Sequence, residues 1–191
     1  FKYLWNKQRV LSQLIILSSV PNIICHPVLF LLPMFTVNIL SKGVDYGGYM
    51  MAVNGAGGFI TVLLLSAFGF PRLRGMTCIM TALGSGILTL LLSQSIWVPA
   101  AFLVLALFGA TQTAYRTTIG VMTQTLVDDE YRVRVLSVYR IVMGMIVFFS
   151  ILVGWFVDFT SLRWALASMG LLAVFISSGY FLFAIKVRRQ E

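Results

Sequence analysis

Charge is what this chain of 191 residues has least of: Asp, Glu, Lys and Arg together make up 10% of it, with six acids and a single histidine. A soluble domain carries about a quarter of its residues as charged side chains, so this chain cannot coat itself in water, and a soluble enzyme or binding module is excluded. Cysteine is as scarce. Cys25 and Cys78 both fall in apolar stretches, with neither the spacing of a metal site nor the setting of a disulfide, and they read as two buried small hydrophobes. No metal and no cofactor is expected. The chain starts at Phe1, without an initiating methionine or a signal-peptide pattern, which gives the expectation of a piece of a longer protein.

What is present is apolar: 59% hydrophobic residues and a mean hydropathy of +0.94. At about 20 residues per membrane span, the length allows six or seven spans and no sizeable extramembrane domain. The net charge of +8 would suggest nucleic acid in a soluble chain. In a chain built for the bilayer it points instead to anionic lipid, and no nucleic-acid partner is expected.

The fold class read from this is an all-α membrane protein. Charge-free apolar runs place six transmembrane helices near residues 11–32, 46–70, 76–92, 98–126, 135–157 and 162–185. A basic flank at 1–10 and a basic tail at 186–191 enclose them. The first run continues uncharged to Leu40, too long for a straight span, and Pro21, Pro27 and Pro33 predict a kink with a break near Pro33. Lys2, Lys7, Arg9, Arg72, Arg74, Arg132, Arg134, Lys186, Arg188 and Arg189 fall on one side, and only Lys42 and Arg163 on the other. This bias requires an even number of spans with both ends in the cytoplasm; the membrane expected is a plasma membrane, of bacterial inner-membrane type. Small residues, Gly47, Gly48, Ala52, Gly55, Ala56, Gly57 and Gly58 in the second span and Gly144, Ser150 and Gly154 in the fifth, mark packing faces or a surface that slides during a transport cycle. The second span ends Ser66-Ala-Phe-Gly-Phe-Pro-Arg-Leu-Arg74 and the fifth Gly154-Trp-Phe-Val-Asp-Phe-Thr-Ser-Leu-Arg163, on opposite sides by the charge count, as two inverted three-helix repeats would place them.

The clearest local pattern is Gln124-Thr-Leu-Val-Asp-Asp-Glu-Tyr-Arg-Val-Arg-Val-Leu-Ser-Val-Tyr139, followed by Gly144, Gly154-Trp-Phe-Val-Asp158 and Leu162-Arg-Trp-Ala165. It resembles the C-terminal half of major facilitator superfamily transporters, in the form carried by branches similar to the enterobactin exporter and the macrolide efflux pumps. The sequence departs from the family pattern at Val133, where the family has Gly, at Asp128, where it has Pro, and in the turn Gly69 to Gly75, which lacks the family's Asp. The resemblance implies that the first and fourth helices line a central cavity, the second and fifth face a partner half, and the third and sixth face lipid. It also implies small-molecule transport, with efflux of a drug-like compound or a siderophore as the preferred direction and proton antiport as the coupling. The partner would be an N-terminal six-helix half or a second copy.

The residues themselves point to the same fourth helix. Thr111, Gln112, Thr113, Tyr115, Arg116, Thr117 and Thr118 are the most polar stretch in any span, and Gln112, Tyr115, Arg116 and Ile119 are expected on one face. Arg116 lies roughly 18 Å of helix before Asp128, and a guanidinium at the bilayer centre costs about 2.5 kcal/mol or more. It reads either as a cation meeting an anionic or polar substrate, or as a structural pairing or snorkelling side chain. His26 reads as a group titrating during transport or as a neutral core histidine. Asn22 and Asn54 line a cavity or cap carbonyls freed at a kink. Asp128, Asp129, Glu130, Arg132 and Arg134 form a solvated loop before the fifth helix or, with Arg72 and Arg74, a cytoplasmic gate.

All six acids lie outside the spans or at their edges, so a membrane-buried coupling carboxylate, if the transporter uses one, belongs to the partner half. Other classes fit less well. An intramembrane protease needs a Ser and a His in an order that Ser85 and His26 reverse, and no pore signature marks a channel. An uptake permease of the same fold, or a structural or channel subunit, remains the alternative to efflux.

Overall fold

In the computed structural model, the described residues are 13, 15–69, 73–127 and 129–183, with the backbone alone for 126, 129, 130, 132 and 183. Among them the chain is helical with no strand. Six helices are long and apolar enough to cross a membrane.

The first span, Ile15–Asn38, is not one regular helix. A π-helical segment, Val20–Cys25, leads through a turn at His26 and Pro27 into α1, Val28–Asn38. The break therefore falls at His26–Pro27, and the expectation of a break near Pro33 is corrected: Pro33 sits inside α1. Pro21 and Pro27 lie six residues apart, and each removes a backbone donor, so the ladder between them widens to π geometry. Pro33 is held in an intact helix by a close neighbour, since a side chain at Gly47 would come within 3.1 Å of the Pro33 Cα atom.

Five regular helices follow. Asp45–Phe68 forms α2, which ends at Gly69, whose φ of 79° stops the helix at no steric cost. Arg74–Gln94 forms α3, and Val98–Leu126 forms α4, where Pro99 occupies the first turn and its missing N–H is harmless. Asp129–Phe159 forms α5 and Leu162–Phe183 forms α6. The fifth helix thus begins at the acids: the stretch 129–134 read as a loop is helical and lengthens α5 by more than a turn. Asp129 and Glu130 in the first turn suit the positive end of the helix dipole, which makes helix the cheaper state there.

The first span is the axis of the bundle. It has 67% of its apolar window buried, whereas α2 and α5 have 11% each. The core has a tier around Leu17, Cys25, Ile79, Tyr115 and Met122 and a second around Leu32, Phe35, Leu105 and Leu166. Apolar side chains on α2 and α5, such as Phe59, Leu63, Phe148 and Ile151, are exposed. The third helix, expected to face lipid, has half of its window buried, packing on the first span, α4 and α6. Only a narrow face with Met80, Ile87 and Leu91 points outward.

Two glycine crossings set the helix spacing. A methyl group on Gly57 would collide with the Ala106 carbonyl, and one on Gly109 would collide with the Asn54 carbonyl, so α2 and α4 touch backbone to backbone. Gly86 and Gly170 do the same for α3 and α6. The glycines expected to pack in the fifth helix do not: Gly144 and Gly154 have no neighbour within 4 Å of where a Cβ would stand, and neither do Gly48 and Gly55 in α2.

Candidate functional site

The glycine crossing of α2 and α4 leaves a cleft of about 300 Å³ beside the break in the first span. The first span contributes His26 and Leu29. From α2 come Asn54, Gly55, Gly58, Phe59 and Val62, and from α4 come Gly109, Gln112, Thr113 and Arg116. Its lining combines polar and apolar side chains, and among the described residues no acid lines it.

Polar residues at the cleft form a network that ties α4 to the interrupted helix. The Gln112 Nε2 donates to the Pro21 carbonyl at 2.7 Å, supplying a donor to an irregular turn of backbone. Asn22, fully buried, donates from Nδ2 to the Ser18 carbonyl at 3.0 Å, which leaves its Oδ1 to accept from Arg116 Nε at 3.1 Å. The Arg116 Nη2 lies 3.3 Å from His26 Nδ1. A guanidinium has only donors, so a hydrogen bond here requires Nδ1 as the acceptor, with the ring proton on Nε2. Among the described residues neither partner of Arg116 is a carboxylate, so its charge is solvated there by dipoles.

Two acceptors on residues that line the cleft are left over. The Gln112 Oε1 and the Asn54 Oδ1 are buried and have no hydrogen-bond partner among the described residues. The bond from Nε2 to the Pro21 carbonyl fixes which way the Gln112 amide faces, because a flipped amide would set two carbonyls against each other.

Five of the residues singled out in the spans, Arg116, Gln112, His26, Asn22 and Asn54, meet at this place. Tyr115 does not. It is fully buried in the core near Cys78 and Met122, one stripe away from the Gln112 and Arg116 face, so the expected single face is in fact two. Of the charged set near the fifth helix, Arg134 is exposed with its guanidinium 5.9 Å from the Tyr131 ring centre, and Arg74 opens α3 half-buried. Arg72 and Asp128 lie outside the described residues, as do the side chains of Asp129, Glu130 and Arg132.

Sequence reasoning passed over Gly58 and Gly109 as makers of the cleft and Leu29, Phe59 and Val62 as its apolar wall. These look like any other residues of an apolar helix until the crossing is known. It also passed over Tyr139 of α5, whose buried hydroxyl lies near Asn22 and Arg116 but outside hydrogen-bond geometry. Among the described residues no three His, Cys, Asp or Glu side chains gather into a set able to hold a metal ion. Comparison with known proteins adds no relative: no family model matches the chain, and neither a curated protein nor a solved structure does.

Proposed function

We propose that this chain is the C-terminal six-helix half of a secondary transporter of the major facilitator type, moving small molecules through a bilayer by alternating access. In this reading both ends face the cytoplasm, a matching N-terminal half or a second copy covers α2 and α5, and efflux of a drug-like compound or siderophore is the preferred direction. One observation carries it: a cationic Arg116 held by neutral partners in a cleft beside a broken helix. An uncancelled charge in an apolar bundle costs stability and persists where a polar substrate uses it. Discontinuous helices near a binding site are likewise a recurring feature of transporters.

The helix packing supports two inverted triplets. Exchanging the first span with α4, α2 with α5 and α3 with α6 turns the contact of the first span with α2 into that of α4 with α5. It turns α2 on α4 into α5 on the first span, and α3 on α4 into α6 on the first span, and all of these contacts occur. The pairing of α3 with α6 maps onto itself, while the contacts of α3 with the first span and of α5 with α6 are not matched by comparable contacts of α6 with α4 and of α2 with α3 among the described residues.

The test is flux. Cells making the complete reading frame that contains this chain are loaded with a panel of anionic, neutral and cationic amphipathic fluorophores and a catecholate siderophore. At least one compound is expected to accumulate less than in vector controls. Arg116→Ala at equal membrane abundance should slow that export about tenfold or more, the value of a hydrogen bond to a charged group. If no compound's accumulation differs from the control, or the variant exports as fast as the parent, the reading is wrong.

A further inference from the structure

The unpaired atoms of the cleft say what kind of molecule it takes. Arg116 directs two of its five N–H donors to Asn22 and His26, which leaves three for a ligand acceptor. Gln112, only 5% exposed, and Asn54 each present a buried carbonyl oxygen with no donor. A buried acceptor left without a donor is costly, and a ligand N–H or O–H that reaches it removes that cost. Leu29, Phe59 and Val62 line the rest of the same cavity with apolar surface, and no carboxylate among the described residues lines it to neutralise a cation.

We propose that the cleft selects compact amphipathic molecules that carry an anionic or carbonyl acceptor beside an N–H or O–H donor, and that it rejects permanent cations. This rests on the transport reading for its purpose, though not for its geometry. The acceptor of the ligand meets the free guanidinium donors, its donor meets the Gln112 and Asn54 carbonyls, and its apolar body lies along Phe59 and Val62. A site that offers buried hydrogen-bonding groups discriminates sharply against an analogue that lacks the matching group. A quaternary ammonium has no donor for the carbonyls, and its charge repels Arg116.

Three probes of similar size separate these terms: hippurate, with a carboxylate and an amide N–H; N-benzoylsarcosine, whose N-methyl group removes that N–H; and benzoylcholine, a quaternary cation. Equilibrium dialysis against the purified product of the complete reading frame that contains this chain, in lipid nanodiscs, should show hippurate binding about tenfold or more tightly than either of the others. Asn54→Ala, which leaves the Gln112 and Asn22 bonds to the first span in place, should bring hippurate and N-benzoylsarcosine closer together. Arg116→Gln should bring benzoylcholine to within about threefold of hippurate. Gel filtration of each variant checks that it is folded. Benzoylcholine binding as tightly as hippurate, N-benzoylsarcosine matching hippurate, or no hippurate binding at millimolar concentration overturns the proposal. Dialysis reads binding without flux, so the expected ranking with no transport would sink the transport reading alone. Transport with a different ranking would sink the selectivity alone.

Discussion

The substitution Gly109→Ala adds one methyl group at the point where α4 meets α2. A Cβ there would lie 2.8 Å from the carbonyl carbon of Asn54, against about 3.5 to 4.0 Å for carbons in contact, and closer still to its oxygen. Both atoms are main chain, so no rotamer change relieves the clash, and the helices must separate by roughly 1 Å. Overpacking of this kind costs about 1 to 3 kcal/mol, while Ala in place of Gly in a helix returns about 0.5 to 1 kcal/mol. The net expectation is a loss of about 1 kcal/mol, and of no more than about 2.5 kcal/mol. Gly144→Ala is the matched control: nothing lies within 4 Å of its Cβ position, so it should be neutral or mildly stabilising. Reversible unfolding in mixed micelles with SDS, followed by tryptophan fluorescence, measures both. If Gly109→Ala proves as stable as Gly144→Ala, α2 and α4 do not cross backbone to backbone, and the cleft beside that crossing loses its basis.

Two further outcomes follow from the same contacts. Gln112→Leu removes the side-chain donor that ties the Pro21 carbonyl of the π-helical segment to α4, so the same unfolding assay should show a loss of about 0.5 to 1.5 kcal/mol. A stability equal to the parent would mean that the bond does not hold the first span to α4. Cys25 and Cys78 are both free and fully buried. An impermeant maleimide should therefore modify neither in the folded chain and both after SDS denaturation, read by mass spectrometry, and rapid labelling of either before denaturation would contradict the core packing.

The spans were readable because six apolar runs are separated by short polar breaks, and Val98–Leu126 lies where the apolar run places it. The network was partly readable for a related reason: Asn22, His26, Gln112 and Arg116 are polar side chains deep in apolar helices, and such groups gather where they can satisfy one another. What stayed hidden depends on contacts distant in sequence. Three prolines in one run do not say which of them breaks the helix. Pro33 stays helical with Gly47 of α2 packed against it, while Pro21 and Pro27 open a turn whose Pro21 carbonyl Gln112 bonds. Tyr115 is one residue from Arg116, but a helix turns about 100° per residue, enough to carry it from the cleft into the core. The glycines of α5 and α2 look alike as sequence, yet only Gly47, Gly57 and Gly58 of α2 meet another helix.

Alternating access is the central claim, and side-dependent labelling of the cleft tests it most directly. Thr113→Cys, at the cleft wall in a background with Cys25 and Cys78 replaced by alanine, is placed in the complete reading frame and exposed to an impermeant maleimide from outside intact cells or from the inner face of inverted vesicles. The account predicts labelling from both faces, with hippurate raising the rate from one face and lowering it from the other. Labelling from a single face only, unchanged by any ligand that binds, would contradict it.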